Sequence, residues 1–131
     1  MDESFVVKLD DLLLVTVPPH LLDSEIVICR RAVLQGIRQH DVTWVLLNFA
    51  QVEICDSLFG RFVQSMAEMA RLMGVRVMVS GLQDSVVETM VDLGFELTGI
   101  STVLDVDDAL SMVRQERGNV PRSAPAAMWS E

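Results

Sequence analysis

The chain has 131 residues, half of them apolar and 22% charged, a composition that fits one ordinary folded domain and excludes a disordered protein or a two-domain one. Ten basic residues against 19 acidic ones give a net charge of −9, which leaves no basic face for nucleic acid or for an anionic membrane surface. No apolar run approaches the roughly 20 residues of a membrane-spanning helix, and the opening MDESF carries acids where a secretory signal carries Lys or Arg. These features predict a cytoplasmic protein whose partners are proteins with basic patches.

Phe5–Lys8 and Leu12–Val17 read as two short strands joined by a turn at Asp10-Asp11. Pro18-Pro19 closes the second, because proline cannot donate to a strand ladder. Asp23 suits the N-cap of a helix running to about His40. Ile26, Cys29, Val33 and Ile37 form its inward stripe, and Arg30, Arg31 and Arg38 are expected to face out. Thr43–Phe49 is a continuous apolar run, the pattern of a central strand covered on both faces. After a loop over Ala50–Cys55, a second helix begins at Asp56 or Ser57 and runs to Met73. Phe59, Phe62 or Val63, Met66, Ala70 and Met73 are its core positions, and Gly74 stands where a helix-ending glycine belongs. Val75–Ser80 alternates as a strand, Gly81 to Gln83 turns, and Asp84–Leu93 reads as a short helix with Ser85 and Glu88 in capping-box spacing. Thr102–Leu104 is a short strand, and Asp105 caps a last helix with Val106, Ala109, Leu110 and Val113 inward. Asp107 and Asp108 in its first turn and Arg114 and Arg117 in its last match the helix dipole.

The order ββαβαβαβα predicts an α/β fold: a single mixed, mostly parallel sheet of four to five strands packed with four to five helices. The domain spans 1–117. From Gly118 the chain is rich in Pro, Ala and Ser, so 118–131, including Trp129, reads as a disordered tail.

Little in the chain suggests catalysis. There is no GxSxG elbow, no GxGxxG or GxxxxGK[ST] loop and no Ser–His–Asp arrangement. His20 and His40 lack ligand-type neighbours, and Cys29 and Cys55 sit in apolar surroundings as inert thiols. The expectation is a protein that is not an enzyme and needs no cofactor or metal. Loops at the C-terminal ends of strands are where α/β folds place functional groups. Ser57, after Asp56 at such a loop, has two readings on the residues alone: a plain N-cap, or a hydroxyl held out for a kinase. Thr89 is a second, weaker phosphorylation candidate, whose mid-helix hydroxyl is expected to bond back to a carbonyl.

The stretch from Trp44 to Gly60, WVLLNFAQVEICDSLFG, resembles the signature of STAS domains, the sulfate-transporter and anti-sigma-factor-antagonist fold. The likeness continues through Ala70-Arg71-Leu72-Met73-Gly74, then SGLQDSVVETMVDLG and VLDVDDAL, and covers roughly Phe5 to Val113. Within the family, the Asp56-Ser57-x-x-Gly60-Arg61 motif and the segment from Ser80-Gly81-Leu82-Gln83 to Leu93-Gly94 resemble the small RsbS-type antagonists of the stressosome, and Leu58-Phe59-Gly60 departs from the Ser-Gly-Leu that follows the serine in the commoner anti-anti-sigma proteins. The resemblance implies a non-enzymatic scaffold that assembles, as a homo- and hetero-oligomer, with an RsbR-type co-antagonist. It implies sequestration of an RsbT-type serine/threonine switch kinase, and a PP2C-type phosphatase that reverses the modification. It puts the phosphoacceptor at Ser57 and partner contacts at Asp56, Ser57, Leu58 and Phe59. The alternatives are a simple anti-anti-sigma factor binding an anti-sigma kinase one-to-one, a subunit of a transport system, and a small-ligand carrier or enzyme.

Overall fold

The computed structural model describes residues 5–19, 23–52, 57–94 and 99–119. The elements in chain order are β1 (Val6–Leu9), β2 (Leu12–Thr16), α1 (Asp23–His40), β3 (Trp44–Asn48), α2 (Ser57–Leu72), β4 (Arg76–Ser80), α3 (Asp84–Asp92), β5 (Ile100–Val103) and α4 (Val106–Asn119). One five-stranded sheet runs in the order β1-β2-β3-β4-β5. β1 is antiparallel to β2, and the other neighbours are parallel.

Successive parallel strands step across this sheet in one direction, so crossovers of a single hand carry every connecting helix to the same face. The core follows that rule. Val45, Leu47 and Phe49 of the β3 segment and Val77 and Val79 of β4 pack with Cys29 and Val33 of α1, Phe62 and Met66 of α2, and Val86 and Met90 of α3. The alternate residues Leu12, Trp44, Leu46 and Met78 point the other way, onto Ala109 and Val113 of α4. β3 is therefore apolar without a break because both its faces are covered, while its neighbours toward the edges expose more. Arg76 at the start of β4 lies 4.1 Å over the Trp44 ring and bonds Glu116 of α4 at 2.9 Å, holding the end of that helix.

The second core helix ends as its glycine requires. Gly74 has φ +77°, its N–H donates to Arg71 O, and the Val75 N–H donates to Ala70 O at 2.9 Å, a Schellman closure. Asp105 caps α4, accepting the Asp108 N–H at 2.8 Å.

Several local expectations need correction. β5 covers Ile100–Val103 and excludes Leu104, whose N–H is claimed by the Asp108 carboxylate at 3.1 Å and whose side chain is 84% exposed. The capping box at Ser85 and Glu88 does not form, because the N-cap is Gln83, two residues before Ser85, with no side-chain cap bond. Arg30 does not simply face out: its Nη1 donates to Ser65 Oγ at 3.0 Å, joining α1 to α2. Long arginine stems lie along packed helices and carry their charge to a partner in this way. Met73 is only half-buried. α4 continues to Asn119, two residues past Arg117, and 120–131 lie outside the described residues.

Candidate functional site

The site is built at the C-terminal end of β3, where the chain leaves the sheet to enter α2. The backbone there is held from several sides. Phe49 N–H donates to Ser80 O at 2.8 Å, and Val52 N–H turns back to Phe49 O at 2.9 Å. Asn48 Oδ1 accepts the Ala50 N–H at 3.1 Å, and Gln83 Nε2, from the next loop, donates to Ala50 O at 3.1 Å. Gly81 makes this clamp possible. Its φ is +73°, and a Cβ there would stand 2.8 Å from Ala50 N and 3.0 Å from Ala50 Cα. Only a residue without a side chain lets the two loops approach so closely.

On the helix side, Phe59 anchors the first turn of α2. Its ring lies 4.9 Å from that of Phe49, tilted by 58°, and the residue is 4% exposed. Phe59 is a core residue and has almost no surface to offer a partner, so the partner contact expected there is withdrawn. Ser57 is the first residue of α2, and the helix has no acid in its first turn. Asp56, with Glu53 and Cys55, lies outside the described residues. Only the backbone of Ser57 and Leu58 is described. Strand and helix thus bring Ser57 to the rim of the sheet, at the positive end of a helix dipole, where N–H groups without intrahelical partners favour an anion.

Thr89 is placed differently. Its Oγ1 donates to Ser85 O at 2.9 Å inside α3, the back-bond expected of a mid-helix threonine. Cys29 is fully buried, and burial pushes its thiol up to about 11 from 9.0, which suits an inert core residue. His40 is exposed, and His20 lies outside the described residues. Among the described residues no group of His, Cys, Asp and Glu could hold a metal ion, and no helix is long and apolar enough to cross a membrane.

No protein-family profile matches the chain. In sequence it is 26% identical to the RsbT co-antagonist protein RsbRA of Bacillus subtilis (strain 168), over 57% of this chain and 31% of that protein. The chain spans about a third of the length of this relative. In structure it is similar to RsbS of Moorella thermoacetica bearing a serine-to-glutamate substitution, with a TM-score of 0.74 and 20% identity over 86% of this chain and 96% of that one. It is also similar to a chain from the molecular architecture of the stressosome, with a TM-score of 0.76 and 21% identity over 86% and 97%. The chain has the STAS fold. The anti-sigma factor antagonist SpoIIAA shares it, with a TM-score of 0.67 and 16% identity over 88% of this chain and 97% of that one. The resemblance drawn from the Asp-Ser motif and those that follow it points to the same stressosome and antagonist proteins as these neighbours.

Asn48, Gly81 and Gln83, which clamp the loop, were not singled out as site residues from the sequence. The available signal was a glycine directly after a strand, which marks a close backbone approach.

Proposed function

We propose that this chain is a phosphorylation-controlled antagonist in a stressosome-like assembly, working by binding rather than by catalysis. It holds an RsbT-type switch kinase in company with an RsbR-type co-antagonist. The kinase transfers the γ-phosphoryl group of ATP to Ser57 Oγ, with ADP as the leaving product, and is thereby released. A PP2C-type phosphatase hydrolyses the phosphoserine and resets the switch. The observation that carries this reading is the position of Ser57: first residue of α2, at the C-terminal rim of the central strand, on the STAS fold. Two neighbours support it. One is an RsbS with a serine replaced by glutamate, and SpoIIAA has been solved in both unphosphorylated and phosphorylated forms.

The physics of release follows from that position. A phosphate adds about −1.5 to −2 charge and three acceptor oxygens. The helix N-terminus accommodates that charge, so the domain survives modification. A partner packed over Ser57 meets the same charge as bulk and repulsion, reinforced by the nearby Glu53 and Asp56 of the sequence. Each 1.4 kcal/mol lost weakens binding about tenfold, so two such increments release a partner held at working concentration.

The test is co-expression with the kinase and co-antagonist, followed by sizing before and after ATP. Wild-type complex loses the kinase on phosphorylation, Ser57→Ala retains it, and Ser57→Glu does not capture it. Kinase release from the Ser57→Ala complex would overturn the reading. A small complex containing only this chain and a kinase would favour the one-to-one anti-anti-sigma role.

A further inference from the structure

Two surfaces that the switch does not use lie at opposite edges of the same sheet face. The first is a groove bounded by α3, the end of β5 and the first turn of α4. Its cavity is about 530 Å³, with Val79, Leu82, Met90, Val103 and Asp108 among its walls. The rim presents aliphatic side chains to solvent: Val87 is 41% exposed, Val91 70% and Leu104 84%. The segments that bound it carry charge of one sign, and Arg71 of α2 approaches at Gly99, ahead of β5. From Val77 to Val113 the sequence has no Lys, Arg or His. Asp84, Glu88 and Asp92 of α3 and Asp107 and Asp108 of α4 are all exposed.

The second surface is the outer face of α1, which packs by its other face on β1 and β2. Val27 and Ile28 stand 45% and 40% exposed. Arg31 and Arg38 are exposed and have no ion-pair partner among the described residues. Spacings of three, four and seven residues put Val27, Ile28, Arg31 and Arg38 on one side of the helix. Aliphatic groups flanked by guanidinium groups are the complement of an aliphatic groove flanked by carboxylates.

We infer that the α3 groove is the docking site for the outer face of α1 from a second copy of this chain. The mode is a helix laid in a groove: Val27 and Ile28 enter the apolar cavity while Arg31 and Arg38 meet Glu88 and Asp92. The two surfaces occupy opposite edges, α1 over β1 and β2 and α3 over β4 and β5, so one copy cannot satisfy itself. The contact is head-to-tail, each copy giving α1 to one neighbour and its groove to another. Such heterologous contacts build rings or extended assemblies rather than isolated dimers. Ser57 does not line the groove, although Gly81 belongs both to it and to the clamp on Ala50, so self-association persists in Ser57→Ala whether or not the proposed switch is correct.

The test is sedimentation velocity of the full chain over a concentration series, with two charge-reversed double variants. One is Arg31→Glu with Arg38→Glu, the other Glu88→Lys with Asp92→Lys; all four positions are exposed, so both proteins keep the wild-type melting temperature. Wild type grows in mass with concentration. Each double variant alone associates more than about tenfold more weakly. Their equimolar mixture recovers association, because reversed α1 meets reversed groove and wild-type α1 meets wild-type groove. Val91→Arg, at a position 70% exposed, weakens association without touching an existing charge. A wild-type chain that stays monomeric throughout, even if it captures a different STAS protein, overturns the second-copy assignment. Unchanged association of either double variant, or a mixture that fails to recover, overturns the surface.

Discussion

The clamp behind the α2 entry rests on Gly81, and replacing that residue with alanine measures it. The left-handed φ of +73° costs an L-residue roughly 1–2 kcal/mol by itself. The new Cβ would also stand 2.8 Å from Ala50 N, and moving Ala50 stretches the two hydrogen bonds that hold it, from Asn48 and Gln83. At about 1 kcal/mol for each of the two hydrogen bonds, added to the conformational cost, the total comes to about 3–4 kcal/mol. Gly74 is the control: its φ is +77° with nothing within 4 Å of an added Cβ, so Gly74→Ala carries the conformational cost alone, about 1–2 kcal/mol. For a chain of this length each kcal/mol moves Tm by roughly 3–4 °C. Thermal unfolding should therefore show a fall of about 3–8 °C for Gly74→Ala and about 9–16 °C for Gly81→Ala. Equal losses, or a milder loss at Gly81, would refute the claim that close backbone approach at Ala50 positions the loop.

Three further outcomes follow from the structure. Phe59→Ala empties a core position against Phe49 and costs about 3–5 kcal/mol in urea unfolding; full stability with lost kinase binding would return Phe59 to the partner surface. Cys29 has its native pKa pushed up to about 11 from 9.0. Its contribution is complete below the unfolded value and is lost as pH rises through the native one, roughly 2–3 kcal/mol over that window. Urea midpoints in that range should fall more steeply for wild type than for Cys29→Ala, and parallel slopes would contradict the burial argument. Asp105→Ala removes the cap that accepts the Asp108 N–H and lowers stability by about 1 kcal/mol in the same assay; no change would mean that the cap contributes nothing.

What could be read from the sequence was what depends on periodicity. The unbroken apolar run of β3 reports burial on two faces, and the stripe of Cys29, Val33 and Ile37 reports the inner face of α1; both packed as expected. Gly74 and Asp105 were legible because helix ends demand particular residues. The misreadings fall where a distant residue decides. Leu104 looks like strand until Asp108 takes its N–H. Ser85 and Glu88 have capping-box spacing, yet α3 starts before them. Arg30 looks solvent-bound until Ser65 arrives from a helix 35 residues on. The clamp on Ala50 joins two loops that are neighbours only because β3 and β4 are, and no local pattern announces it. Ser57 was legible as one of two starts for the helix that follows a buried strand and its loop, Asp56 being the other, and its candidate role came from the family resemblance.

The central claim is that one hydroxyl, on Ser57, receives the phosphoryl group that frees the kinase. The most direct measurement is intact-mass and phosphopeptide analysis of the assembled complex after incubation with its kinase and ATP, alongside the mass of the particle. The account predicts one phosphate per chain, located on Ser57, with kinase loss tracking its occupancy. Stoichiometric phosphorylation of a Ser57→Ala chain, or full occupancy of Ser57 with the kinase still bound, would contradict it.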